Sequence, residues 1–352
     1  MSCPFGGGRS MVAKQGEQAR LSGIDGARGI AILTVAFFHM TRGMVQAGHL
    51  APGFALDLAD RLAYGFHVQV FFLVSGYFLA DRVRTWADFA PRAVNLYWPY
   101  LLWSGISGVL LLLVPGANNT ITLRQFVLLP VIPLQHFWFL LYLIGCIALM
   151  VLARGRVALM TGAFLALNLA ALAADLPPDT LGVTIDNATY WPAFFFAGAL
   201  LARWGGFPPV RAGWFVPAVV VALGGAWLSV RSGIDIRWSL FAPVSLCACY
   251  AVLCLATWAD SRLLAFLGRH SLPIYLVHVM VGSVLRALVF KLAPGAPLVP
   301  VMIAIWALSV AVPLAMEQVA ARLGLGALAG FAPLMRPRQR AFIPRGVAGP
   351  AG

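Results

Sequence analysis

The amino-acid sequence predicts an all-α integral membrane protein: a bundle of about ten transmembrane helices with both termini in the cytoplasm. Three observations carry this. Of 352 residues, 61% are hydrophobic and 11% charged, and mean hydropathy is +0.86, whereas soluble domains carry about 25% charged residues. Apolar runs near twenty residues long follow one another, the length a helix needs to cross a bilayer. The basic residues are segregated. With the N-terminus inside, 18 of the 25 Lys and Arg fall on inner segments, six on outer loops, and Arg286 within a span, the asymmetry of a cytoplasmic face.

The expected spans are bounded by those charges. The first, 28–46, opens at Arg28; the second, 64–80, stops before Arg82 and Arg84; the third, 94–114, lies between Arg92 and Arg124. The fourth and fifth, 137–153 and 157–174, flank Arg154 and Arg156. The acidic residues Asp175, Asp179 and Asp186 mark an outer loop before the sixth, 189–204. Arg211 precedes the seventh, 213–230, and Arg231 and Arg237 separate it from the eighth, 238–257. The ninth, 271–290, starts at Ser271 with Pro273 and meets Lys291; the tenth, 298–317, ends at Glu317. Prolines such as Pro99, Pro192, Pro217 and Pro313 fall within spans, which a bundle tolerates when neighbours satisfy the freed carbonyls. Residues 1–23 read as a flexible N-terminal segment without a secretory leader, 24–322 as the membrane domain, and 323–352 as a loose, basic tail.

The net charge of +13 would suggest nucleic acid in a soluble chain; here the inner loops explain it, and no nucleic-acid partner is expected. Five cysteines, four of them in apolar segments, define neither a disulfide framework nor a metal motif. No inverted repeat of the kind seen in many transporters is visible. Every loop is too short to form a soluble domain, so chemistry is expected among the helices or in their mouths.

Four segments carry candidate chemistry. In the first, Arg28 and His39 have ten residues between them, so their backbones lie about 16 Å apart along a helix. An ionisable group at membrane depth is a functional hypothesis by default; imidazole is the side chain suited to take a proton near neutral pH. Arg28 also fits a boundary anchor, and His39 a packing histidine. In the second, His67 lies near the outer mouth, and Ser75-Gly76 is a small-residue step for close helix approach. In the third, His136 precedes Trp138, which is either an interfacial belt residue or a ring for stacking on a sugar. In the fourth, His278 and Arg286 share one span.

Together these segments resemble the acyltransferase 3 family of multi-pass membrane proteins. The resemblance rests on Asp25-Gly26-Ala27-Arg28-Gly29 with His39, on Phe71-Phe72-Leu73-Val74-Ser75-Gly76-Tyr77, on Trp138-Phe139-Leu140, and on Gly268-Arg269-His270-Ser271-Leu272 with Tyr275, Leu276 and His278. It implies transfer of an acyl group, often acetyl, from cytoplasmic acyl-CoA to a hydroxyl of an extracytoplasmic glycan, lipid-linked sugar or related acceptor, in the inner membrane. His39 would be general base and Arg28 would serve the donor. Arg92, His67, Ser75, Tyr77, His136, Trp138, His278 and Arg286 are candidate substrate contacts, with no metal and no permanently bound cofactor. Two departures stand out: Asn95 follows Arg92 where the family often has a second arginine, and Gln69 stands where many members have aspartate. Intramembrane Arg and His also mark transport pathways, so a glycan-precursor transporter or flippase is the alternative.

Overall fold

The computed structural model describes the backbone of residues 7–113, 121–174 and 180–337, and within these the side chains from residue 22 on, those of 180–187 excepted. The described residues are helical, without strands. In chain order the helices are α1 (Gly7–Gln46), α2 (Phe54–Tyr64), α3 (His67–Leu79), α4 (Trp86–Leu113), α5 (Leu123–Val127), α6 (Trp138–Leu152), α7 (Val157–Ala173), α8 (Thr180–Arg203), α9 (Ala212–Ser232), α10 (Ala242–Ala259), α11 (Arg262–Arg269), α12 (Ser271–Leu292) and α13 (Leu298–Arg322).

Among the described residues, seven segments are long and apolar enough to cross a membrane: Phe54–Leu79, Trp86–Leu113, Gln135–Leu152, Ala212–Ser232, Ser239–Ala259, Ser271–Leu292 and Leu298–Arg322. The other three expected spans correspond to α1, α7 and α8, which do not meet that test. Arg42 and His39 dilute the apolar run of α1, and α7 is only 17 residues long. The expected second span is a broken rod. α2 and α3 meet at Gly65–Phe66, and the His67 Nδ1–H donates to the Ala63 carbonyl across the break.

The two end segments, expected to be loose, are described in part. The backbone of 7–23 is helical and continuous with α1. Residues 323–337 turn back onto α4, where the indole N–H groups of Trp98 and Trp103 donate to the Leu328 and Ala329 carbonyls, each at 2.9 Å. Asn95, in the place of the family's second arginine, exchanges two hydrogen bonds with the Met335 backbone at 2.8 and 2.9 Å. The physical reason is that polar groups on an apolar helix need partners, and the backbone of the tail supplies them. Residues 338–352, Asp175 and Asp179 lie outside the described residues, and Asp186 belongs to α8 rather than to a loop.

α1 is the hub, packed against α3, α10, α11, α12 and α13. Peripheral helices α9 and α13 bury only 22% of their most apolar stretch and expose Trp214, Val220, Ile303 and Val319, as a lipid-facing surface does. Two glycines set a very close contact between α3 and α8. A Cβ on Gly76 would overlap the Phe195 carbonyl oxygen, and one on Gly198 the Leu73 carbonyl. The small-residue step thus divides its work: Gly76 packs, while Ser75 faces the cavity described below. Gly76→Val should destabilise the fold by about 1–3 kcal/mol or more through overpacking, read as a lower melting temperature in detergent, whereas Ser75→Ala should melt near wild type. Equal melting of Gly76→Val and wild type would refute the contact.

Candidate active site

Helix periodicity lines up the chemistry before any packing is considered. On α12, Ser271, Tyr275, His278, Gly282 and Arg286 recur at steps of four, three, four and four, one stripe of the helix. On α1, Arg28 and His39 are eleven residues apart, three turns plus about 20° at 100° per residue, so they also share a face. These faces meet α3 and the segment 135–143 around a cavity of about 630 Å³. The cavity runs along α1 from Arg28, past His39, to Gln46.

Of the residues expected from sequence, the cavity wall holds Arg28, His39, His67, Ser75, His136, Trp138, His278 and Arg286. It does not include Tyr77 or Arg92. Tyr77 is buried against Phe78 and Phe207, and the Arg92 guanidinium donates to the Asp88 carbonyl one turn back at 2.5 Å. Trp138 is no belt residue at the surface: its ring stacks on the fully buried Trp191, with centroids 5.3 Å apart.

At one end, Arg28 donates to Asp25 at 3.3 Å and to the Ser271 hydroxyl at 3.1 Å. Arg269 approaches the second oxygen of the same carboxylate at 3.7 Å. Two guanidinium groups share one carboxylate, which leaves positive charge in excess. Ser271 is the first residue of α12 rather than its cap, since His270 occupies the cap position, with no capping bond from its side chain. Its hydroxyl is thereby available to Arg28.

In the middle, three imidazoles cluster with ring centroids 5.0 to 5.7 Å apart. Their hydrogen bonds fix the tautomers of the neutral rings. His278 Nδ1 lies 2.8 and 2.9 Å from the carbonyls of Ile274 and Tyr275. Carbonyls only accept, so this nitrogen carries the proton and Nε2 is bare. His39 Nδ1 lies 2.9 Å from that Nε2 and must therefore donate. His39 Nε2 is left with a free lone pair. His136 Nε2 donates to the Tyr275 carbonyl at 2.9 Å, and the Tyr275 hydroxyl donates back to the His136 carbonyl at 2.5 Å. That leaves His136 Nδ1 bare, buried and without a partner, as is Oε1 of the adjacent Gln135. Gln135 has φ +49°, a left-handed conformation that a non-glycine residue holds at some cost. Two buried acceptors without donors are themselves a signal, since such groups are nearly always satisfied.

At the far end, Arg42 forms a fork on Asp60 at 3.0 and 2.6 Å and donates to the Tyr64 hydroxyl. Among the described residues no group of three or more His, Cys, Asp or Glu is arranged to hold a metal ion. The ring nitrogens of the cluster that donate do so to one another or to backbone carbonyls.

Sequence reasoning missed Asp25, Gln135, Tyr275 and the Arg42–Asp60 pair. Asp25 was findable at three residues from Arg28, and Tyr275 from its place on the His278 stripe. Gln135 carries no sequence signal, because its role depends on a strained turn.

A family described as an acyltransferase domain matches residues 21–316. No curated protein and no solved structure matches. The match takes in every residue of the cavity wall, from Arg28 to Arg286, and the chain belongs to the acyltransferase 3 family.

Proposed function

We propose that this acyltransferase is an O-acyltransferase, moving an acetyl or similar acyl group from cytoplasmic acyl-CoA to a hydroxyl of an extracytoplasmic glycan or related acceptor. The observation that carries the reading is the continuous cavity from Arg28 to His39, with a bare imidazole nitrogen on its wall. Arg28, with Arg269 behind it, holds donor phosphates by charge-assisted bonds, and the pantetheine arm follows the face of α1 for about 16 Å to His39. His136 Nδ1 and Gln135 Oε1 accept hydrogen bonds from the acceptor and orient it.

The step balances as follows. His39 Nε2 takes the proton of the acceptor hydroxyl while the oxygen attacks the thioester carbonyl carbon. The tetrahedral intermediate collapses, the carbon–sulfur bond breaks, and the leaving thiolate takes the proton back from His39. Products are the ester and free CoA. His278 is a positioning residue: by accepting from His39 Nδ1–H, it keeps the lone pair on Nε2.

The test is labelled acetyl-CoA supplied to purified protein in vesicles enclosing candidate glycans, with analysis of any labelled ester. Movement of unmodified glycan without ester would support a transporter and overturn the reading. His278→Ala should lower transfer about tenfold or more, by analogy with groups that orient a catalytic imidazole. His278→Gln should recover part, because its amide oxygen still accepts from His39, and the pH profile should change in His278→Ala alone. An unchanged rate and profile in His278→Ala would remove the positioning role.

The orientation has its own check. The Lys/Arg asymmetry supports a cytoplasmic Arg28 end. Reporter fusions at Gly352 and near Asp179 should report cytoplasm and exterior respectively; an exterior signal at Gly352 would overturn the ten-span topology.

A further inference from the structure

We propose that the acceptor carries an acidic group, a phosphate or carboxylate, and that Arg286 holds it about one helical turn from His39. This rests on the acyl-transfer reading above and names the class of acceptor.

The cavity wall contains three arginines and four histidines and no aspartate or glutamate. Two of the arginines are answered by carboxylates set behind the wall, Arg28 by Asp25 and Arg42 by Asp60. Arg286 is different. Among the described residues it has neither an ion pair nor a hydrogen bond, although it is half-buried on the wall. A guanidinium held away from bulk water has five donors to satisfy and is matched by a planar or tetrahedral anion. The position of its head is also built. The Nη1 atom of Arg286 lies against α1 at Gly43, so close that a Cβ on this glycine would overlap it. Gly43 is four residues beyond His39, which places the guanidinium about 6 Å further along the same helix face. That is roughly the span of one sugar ring. The arrangement suits a molecule that offers a hydroxyl to His39 and an acidic substituent one ring-width away, such as a uronic acid or a sugar phosphate. A lipid phosphate has the same chemistry, so the test must separate the two.

The experiment uses the full chain in a phosphate-free, uncharged detergent and follows thermal unfolding, because a ligand that binds only the folded state raises the melting temperature. The probes are glucuronate, glucose 6-phosphate, uncharged glucose, phosphatidylglycerol and CoA. The charged sugars should stabilise the wild type and glucose should not. Arg286→Gln should weaken the charged sugars about tenfold or more, as loss of a charge-assisted bond implies, and Arg286→Lys should recover part. Both variants should keep the wild-type response to CoA, which also shows that they are folded. The proposal is overturned if charged and uncharged sugars act alike or none acts. It is equally overturned if phosphatidylglycerol alone stabilises through Arg286, or if Arg286→Gln loses the CoA response and so belongs to the donor. Failure of wild type to respond to CoA would count against the donor assignment of Arg28 and leave the acceptor result intact.

Discussion

His39→Gln should lower transfer on the order of 10²-fold or more, the usual scale for a positioned base, while melting temperature and acyl-CoA binding stay near wild type. The substitution isolates basicity from structure. A glutamine amide can still donate to His278 Nε2, which His39 Nδ1 meets at 2.9 Å, so the contact between α1 and α12 survives. It has no lone pair basic enough to take a hydroxyl proton. His39→Ala should fail as well. Wild-type transfer should fall towards acidic pH, because a ring protonated on both nitrogens cannot accept a proton. Rates against pH for all three proteins in the same lipid decide the matter. Near-wild-type turnover by His39→Gln would leave His39 as an orienting residue only.

Arg28→Ala should weaken acyl-CoA binding about tenfold or more, since a phosphate loses a charged donor. Collapse of the fold is not expected to confuse the result, because Asp25 keeps Arg269, 3.7 Å away. Arg28→Lys should recover only part of the affinity. An ammonium restores the charge, but it cannot reach both Ser271 and a phosphate with the planar fork that a guanidinium presents. Equilibrium binding of labelled acyl-CoA to detergent-purified variants gives the answer. Unchanged affinity in Arg28→Ala would reduce Arg28 to a topological anchor.

Much of this architecture is legible in the sequence because the bilayer imposes a length and a composition on each span. Nine of the ten expected spans overlap one helix each, and the second overlaps α3 and the end of α2. What hydropathy does not encode is continuity. The extension of α1 back to Gly7, the break at Gly65–Phe66 and the return of residues 323–337 to α4 arise from backbone and side-chain hydrogen bonding, which mean hydropathy does not register. The site divides in the same way. His39, His136 and His278 stand out singly because a histidine at membrane depth is rare. That they form one cluster is set by how α1, the 135–137 turn and α12 pack, and 239 residues separate His39 from His278. Arg92 is a candidate substrate contact by sequence, yet its side chain bonds its own helix, a choice no spacing rule reveals.

The return of the tail to α4 bears on the order in which the protein is assembled. Trp98 and Trp103 find their acceptors 230 and 226 residues later in the chain, and Asn95 its partner 240 residues later. Synthesis runs from the N-terminus, at about 5–20 residues per second. For tens of seconds after α4 leaves the ribosome, therefore, the Trp98 and Trp103 indoles and the Asn95 amide have no native partner. The helix must either linger at the polar edge of the bilayer or borrow partners from water, lipid or the insertion machinery. Maturation of α4 is thus tied to synthesis of residues 328–335, and a chain cut short at Arg322 would leave that helix permanently in its juvenile state.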